Sequence, residues 1–255
     1  MSRRLASPSL NLAPARLTGL SIFLPAHNEE ANLEHVVEGL GRAAAQWALD
    51  YELIVVNDGS RDRTGEIAAR LAKADSRVRS VTHTVNRGYG AAVKSGLQAA
   101  RMPYVMLCDG DGQFDPADFA RLVEKIGQCD VVVGRRVNRA EGLVRRLNGE
   151  LWSALMRLLF GLQIRDIDCG FKLFRRDLLE GLALRADGAM ISTELMAKLV
   201  ARGARICEVD VRHLPRTAGE PSGAKVSVIA RAFVELFILA SELRAETAKQ
   251  RQTGA

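Results

Sequence analysis

Between Leu20 and Gly134 five short, mostly apolar runs alternate with four stretches of helical spacing, and this alternation constrains the fold more than any other feature. The runs are LSIFLP, ELIVVN, VRSVTH, YVMLCD and DVVVG. Strands that read as near-continuous apolar runs need cover on both faces, the condition of a parallel sheet flanked by helices. The first helical stretch places Leu33, Val36, Val37, Leu40, Ala44 and Trp47 on one face. DRTGEIAARLAKA and GYGAAVKSGLQAA supply the next two, and PADFARLVEKIG the fourth, opened by Asp115 and Pro116. The predicted fold class is α/β: a mainly parallel, Rossmann-like sheet with helices on both faces. Ligands of such sheets bind beyond the carboxyl ends of the strands, so the residues after each run are the ones to read for chemistry.

After Gly134 the rhythm breaks. A stretch bearing Arg135, Arg136, Arg139, Arg145 and Arg146 leads into an apolar helix from about Leu147 to Phe160. DIDCGFKLF, a helix near STELMAKLVARG, a strand RICEVDVRH and a polar loop LPRTAGEPSGAK follow, then a last helix. The expected organisation is a loose arm (1–18), a regular half (19–134), an irregular half with amphipathic helices (135–242) and a charged tail (243–255). The apolar helix carries Leu151, Leu155 and Leu158 beside Trp152, Met156 and Phe160, and the last helix carries Val226, Ile229, Phe233, Leu236 and Phe237. Sectors this wide suit the core, a second copy of the chain, or a membrane surface.

Composition removes other classes. Aromatic residues make up 5% of the 255 residues, too few for a surface that stacks nucleic-acid bases. Lysine and arginine exceed the acids by 6, a balance that fits phosphorylated molecules, an anionic membrane or a solvated basic surface. No window reaches the roughly 18–20 apolar residues of a membrane span; Val226 to Ala240 is interrupted by Arg231 and Glu235. The amino-terminal segment lacks the apolar stretch of a secretion signal. Cys108, Cys129, Cys169 and Cys207 are widely spaced, which predicts four reduced thiols and a cytoplasmic protein, free or peripheral on the inner face of the membrane.

The strand ends carry PAHNEE, NDGSRDRT, NRGYG and DGDGQ. Asp109 and Asp111 close the fourth run with Gly110 and Gly112 beside them. Two carboxylates one residue apart suit a hard divalent cation, and the glycines let a diphosphate approach the backbone. Asp58 follows the second run, where a carboxylate suits a nucleobase N–H or a helix cap. Glu29 and Glu30 suit the first turn of a helix, where acids complement the helix dipole. Arg135 and Arg136 follow the fifth run, and Arg212, His213 and Arg216 end a later one; guanidinium groups grip phosphate through paired hydrogen bonds.

In combination and order, LPAHNEEANL, VVNDGSRDRT, NRGYGAAVKSGLQAA and LCDGDGQFDP resemble the family-two glycosyltransferases of GT-A fold. DIDCGFKLFRRDLL and STELMAKLVARGARICEVDVRHLPRTAGEPS, with GRR, make the chain most similar to polyprenyl-phosphate sugar transferases of the dolichyl-phosphate mannose synthase type. The resemblance covers about residues 19–240. It implies an enzyme that transfers a sugar, with inversion, from a nucleoside-diphosphate sugar (GDP-mannose or a UDP-hexose) to a polyprenyl phosphate. Residues 19–134 then form the donor-binding half and 135–242 the acceptor-binding half. By resemblance Pro25, Ala26, Asn28 and Glu30 line the base pocket and Asp58 contacts the base. Gly88, Lys94 and Gly110 lie near the nucleotide, and Asp109 and Asp111 hold Mg²⁺ or Mn²⁺ with Gln113 close by. Asn57 stands where many relatives carry an aspartate. Arg135, Arg136, Lys172, Arg212, His213 and Arg216 are the expected ligands of the acceptor phosphate.

A phosphate acceptor is already ionised at neutral pH, whereas a hydroxyl acceptor needs a positioned carboxylate, for which Asp166, Asp168 and Glu194 are the candidates. Asp111, Asp168 and Arg135 are the expected catalytic groups. A transferase acting on a soluble hydroxyl and a non-catalytic scaffold stay open as alternatives, and so does a homodimer through the apolar helices. A nicotinamide dehydrogenase and a P-loop enzyme are excluded, because neither GxGxxG after the first run nor GxxxxGK is present.

Overall fold

A computed structural model describes residues 16–137 and 143–216, the backbone alone over 143–149, and the isolated positions Leu236 and Ser241. Seven strands form one sheet: β1 (Leu20–Ala26), β2 (Tyr51–Asp58), β3 (Val78–His83), β4 (Tyr104–Cys108), β5 (Val131–Val137), β6 (Phe171–Arg175) and β7 (Ile206–Arg212). Their order across the sheet is β3-β2-β1-β4-β6-β5-β7. All neighbours run parallel except β6, which is antiparallel to both β4 and β5. Helices among the described residues include α1 (Leu33–Trp47), α2 (Thr64–Ala74), α3 (Tyr89–Ala99), α4 (Phe119–Ile126), α5 (Leu143–Phe160) and α6 (Ile191–Ala201).

The alternation of side chains across each strand builds two cores. Ile22, Leu24, Val55, Met106 and Leu173 face α1, α2 and α4 on one side. Phe23, Ile54, Val56, Leu107, Val133 and Phe174 face α3, α5 and α6 on the other, where Leu236 also packs. Each large side chain fully withdrawn from water in this way contributes about 1.5–3 kcal/mol. β3 departs from the pattern. It is one of the two edge strands, and Arg79, Ser80 and Thr82 lie partly or fully in solvent. Before α4, a 3₁₀ turn (Pro116–Asp118) is capped by Asp115, whose Oδ1 accepts from Ala117 N at 2.8 Å, as the sequence predicts.

Four expectations change. β5 continues three residues past Gly134, because β7 pairs with it along its whole length. α5 begins at Leu143 rather than Leu147. GFKLF contains a central antiparallel strand. Cys129 and Cys207 form a disulfide, with Cα atoms 6.0 Å apart, which corrects the reading of four reduced thiols. They are 78 residues apart and meet because β5 and β7 lie side by side. Cys108 and Cys169 remain thiols, both buried. The arm before residue 16, Arg139, the side chains of Arg145 and Arg146, the last helix apart from Leu236 and Ser241, and the charged tail lie outside the described residues.

Candidate active site

The carboxyl ends of β1, β2 and β4 meet at one place, and the loops there brace one another. Pro25 and Ala26 end β1 as buried residues, and Pro25 O accepts from Gly110 N at 3.3 Å. Asn28 has φ 57°, a left-handed conformation that asparagine tolerates. That turn lets its N–H reach Ser60 Oγ at 3.0 Å while its Oδ1 accepts from Arg61 N at 2.9 Å. Glu30 Oε2 accepts from Arg63 N at 3.0 Å, and Glu30 N donates to Asp62 at 3.1 Å. Asn28 and Glu30 therefore join the β1–α1 turn to the β2–α2 turn at the rim.

Asp58 is placed differently from the base contact expected of it. It is buried, and its carboxylate accepts from Arg87 N and Gly88 N, each at 2.9 Å, and from His83 Nδ1 at 2.6 Å. Ser95 Oγ lies 2.9 Å from the other ring nitrogen of His83. The network holds the turn into α3, which begins at Gly88 with φ 97°, a conformation strained for any residue with a side chain. Lys94 pairs with Asp187 at 2.6 Å and so ties α3 to the 185–187 segment.

Asp109 and Asp111 lie at the end of β4, as expected. Tyr89 donates from its hydroxyl to Asp109 Oδ1 at 2.9 Å. Gly170 lies against the same carboxylate so closely that a Cβ there would overlap it, and Gly170 O accepts from Asp109 N at 3.0 Å. Withdrawal from water, and then the charge of Asp111, push the Asp109 carboxyl up to about 7. Asp111 Oδ1 accepts from Gln113 N at 3.1 Å, and its Oδ2 accepts from Arg216 Nη2 at 3.0 Å. The same Arg216 nitrogen stands 3.4 Å from Glu29 Oε1. Glu29, read from the sequence only as a first-turn acid, thus stands beside Asp111 at the site. Its carboxyl is held above its ordinary range mainly by burial, against the opposing pull of Asn32 and Arg216.

The 213–216 segment is fastened to the same loop. His213 bridges Phe114, Leu214 N donates to Gln113 O at 2.8 Å, and Gln113 Nε2 donates to Leu214 O at 3.1 Å. Phe114 stacks on Phe171 and meets the His213 ring edge-on.

The other cations expected at an acceptor phosphate are engaged elsewhere. Arg135 makes a two-pronged pair with Asp210 on β7, at 2.6 and 2.8 Å. Arg136 does the same with Asp166, at 2.9 and 2.8 Å, in a pair whose side chains are 15% and 4% exposed. Arg212 binds Asp118 and Asp115. Lys172 is wholly buried on β6 and donates to Cys169 O; burial lowers its pKa. Of the three candidate bases, Asp166 is held by Arg136. Glu194 is buried and accepts from Arg185 N, Ala186 N and Lys198 Nζ. Asp168 is exposed. Tyr89 and Gly170 escaped the sequence reading, although both sit inside quoted motifs, NRGYG and CGF.

Among the described residues no three histidine, cysteine or acid side chains converge into a closed metal cage. Mg²⁺ and Mn²⁺ favour the opposite arrangement: one or two carboxylates, with the remaining positions left to water and substrate phosphate. Asp109 and Asp111 fit that donor set. Their mutual repulsion and the guanidinium already drawn onto Asp111 are what a cation-seeking pair produces.

The family profile of glycosyl transferase family 2 matches residues 21–182. An undecaprenyl-phosphate 4-deoxy-4-formamido-L-arabinose transferase of Pseudomonas paraeruginosa is 32% identical over 213 residues, 82% of this chain and 61% of that protein. The protein of the same name from Photorhabdus laumondii is 30% identical over 79% of this chain and 62% of its own length. The chain thus spans about three fifths of the length of these relatives. Among solved structures, glucosyl-3-phosphoglycerate synthase of Mycobacterium tuberculosis, in complex with Mn²⁺, UDP and glucosyl-3-phosphoglycerate, superposes with a TM-score of 0.68. Identity is 22%, covering 88% of this chain and 80% of that one. The same synthase with phosphoglyceric acid gives 0.66 at 21% identity, over 89% and 88%. The fold is the GT-A-like α/β arrangement predicted from the sequence.

Proposed function

The chain belongs to glycosyl transferase family 2, and we propose that it transfers a sugar from a nucleoside-diphosphate sugar to a polyprenyl phosphate, with inversion at the anomeric carbon. The observation that carries this reading is the pair Asp109 and Asp111 at the carboxyl end of β4, with the Arg216 guanidinium reaching Asp111 and Glu29. Similarity to undecaprenyl-phosphate sugar transferases supports the lipid-phosphate acceptor.

Asp109 and Asp111 would hold Mg²⁺ or Mn²⁺, and such an ion, when bound, offsets charge on a departing diphosphate. Tyr89 and Gly170 fix the Asp109 carboxylate in one orientation, and Gln113 N does so for Asp111. Asn28 and Glu30 shape the rim for the base, and the Asp58–His83 network holds the α3 turn that borders it. Arg216 is the cation aimed into the site and the best-placed partner for phosphate oxygens. A phosphate nucleophile attacks without losing a proton. That fits a site in which Asp166 and Glu194 are held by hydrogen bonds; Asp168, which is exposed, is the base to test for a hydroxyl acceptor.

We also propose contact with a membrane surface through α5. Leu151, Leu158 and Leu159 are 61%, 82% and 46% exposed, while Met156 on the same helix is buried. No helix among the described residues is long and apolar enough to cross a membrane. Flotation with anionic liposomes checks this contact: protein left at the bottom of the gradient would remove it.

The test of the activity is a panel of radiolabelled donors (GDP-mannose, UDP-glucose, UDP-N-acetylglucosamine) with Mn²⁺ and a short polyprenyl phosphate. Butanol-extractable label from one donor, absent with Asp111→Ala, is expected. Asp111-dependent donor hydrolysis without extractable label would overturn the lipid acceptor and keep the transferase.

A further inference from the structure

Among the described residues the Arg216 guanidinium rests on Asp111, one of the two carboxylates proposed to hold a divalent ion. Arg216 is 105 residues from Asp111 in sequence, yet its Nη2 lies 3.0 Å from Asp111 Oδ2 and 3.4 Å from Glu29 Oε1. Its side chain is only 23% exposed, beside carboxylates at 17% and 10%. With Gln113 N on Oδ1 and Arg216 on Oδ2, both oxygens of Asp111 already have a partner. The backbone leading to Arg216 is pinned to the β4 loop at Gln113 and Phe114, so the side chain pivots about a point fixed relative to Asp111.

A guanidinium binds a carboxylate or a diphosphate with the same paired geometry. A cation arriving alone must displace Arg216 and leave its charge without Asp111. A cation arriving with a diphosphate brings Arg216 a new anionic partner within the same site. We infer that Arg216 is a resident counter-cation of the acidic cluster, exchanged for the divalent ion as the nucleoside diphosphate binds. The inference rests on the metal-site reading of Asp109 and Asp111 and deepens it. It makes metal binding weak without nucleotide and cooperative with it. The two ligands then raise each other's affinity by the same factor, as linkage requires.

The experiment is a Mn²⁺ titration of the full chain, followed by the electron paramagnetic resonance signal of free Mn²⁺, alone and with UDP or GDP. Wild type, Arg216→Gln, Arg216→Lys and Asp111→Asn are compared. Without nucleotide, Arg216→Gln is expected to bind Mn²⁺ about tenfold more tightly than wild type, the size of one charge-assisted hydrogen bond removed from competition. Arg216→Lys, which keeps the charge but not the fork, falls between them. With the effective nucleotide the gap closes or reverses, because the variant has lost its diphosphate contact. If Arg216→Gln and wild type bind Mn²⁺ equally without nucleotide, while nucleotide tightens both, the exchange is wrong and the metal site stands. If no form retains Mn²⁺ under any condition, or Asp111→Asn retains it as well as wild type, the metal-site reading falls and the exchange falls with it.

Discussion

Charged residues gather at the ends of two groups of strands in one sheet, and the two groups behave in opposite ways. At the ends of β1 and β4, Glu29 and Asp111 share the Arg216 guanidinium, and Asp109 stands beside Asp111 with its carboxyl pushed up to about 7. At the ends of β5 and β7, Arg135, Arg136 and Arg212 each meet an acid of their own, Asp210, Asp166 and Asp118. The first group is left short of positive charge; the second is internally neutralised. A ligand is invited by the first condition and not by the second, so an arginine at a strand end says little until its acid is known.

That contrast can be broken most severely through Asp111. Asp111→Ala should lower sugar transfer by about 10³-fold, the scale of losing a main electrostatic element of catalysis, while Arg135→Ala changes kcat less than threefold. Comparable losses in both would erase the distinction between the groups. Next in size is the buried pair on the neutralised side. Asp166→Ala leaves Arg136 without its carboxylate and should destabilise the fold by about 3 kcal/mol in urea unfolding. A loss below about 1 kcal/mol would mean water already solvates that pair.

A smaller effect concerns pH. A carboxyl whose folded pKa lies above its unfolded value binds more protons in the folded state, so its contribution falls as pH rises through that interval. Asp109, pushed up to about 7 from an ordinary 3.8, should therefore make the metal-free protein lose stability between about pH 4 and 7. In Asp109→Asn that component disappears, and the difference in melting temperature between the two forms should drift by a few degrees across the interval. A constant difference would show that the carboxyl titrates normally. Smallest of all, Arg135→Ala should cost under about 1 kcal/mol of stability, since its partner Asp210 is 45% exposed.

Within the first group the placement of Asp109 and Asp111 was legible in sequence because its information is local, whereas Arg216 reaches Glu29 across 187 residues and Asp111 across 105. Asp109, Gly110 and Asp111 are adjacent, and a parallel strand delivers its last residues to the sheet's carboxyl edge whatever surrounds it. The second group was misread because its information is distant. Arg135 finds Asp210 across 75 residues through the pairing of β7 with β5, and Arg212 finds Asp118, in the turn before α4, across 94. The Cys129–Cys207 bond was missed for the same reason. Lys172, expected at an acceptor phosphate, instead lies buried on the antiparallel strand β6, with Cys169 O as acceptor. Asp58 sat at the expected strand end, yet its role turned on His83, 25 residues away, which no spacing rule connects to it.

The account depends most on the divalent ion and diphosphate meeting at the end of β4. A crystal structure with Mn²⁺ and whichever of UDP or GDP binds tests that directly. The ion is predicted between Asp109 and Asp111, with the Arg216 guanidinium moved off Asp111 and onto phosphate oxygens. An ion bound away from both aspartates, or a diphosphate lodged elsewhere with Arg216 still on Asp111, would contradict it.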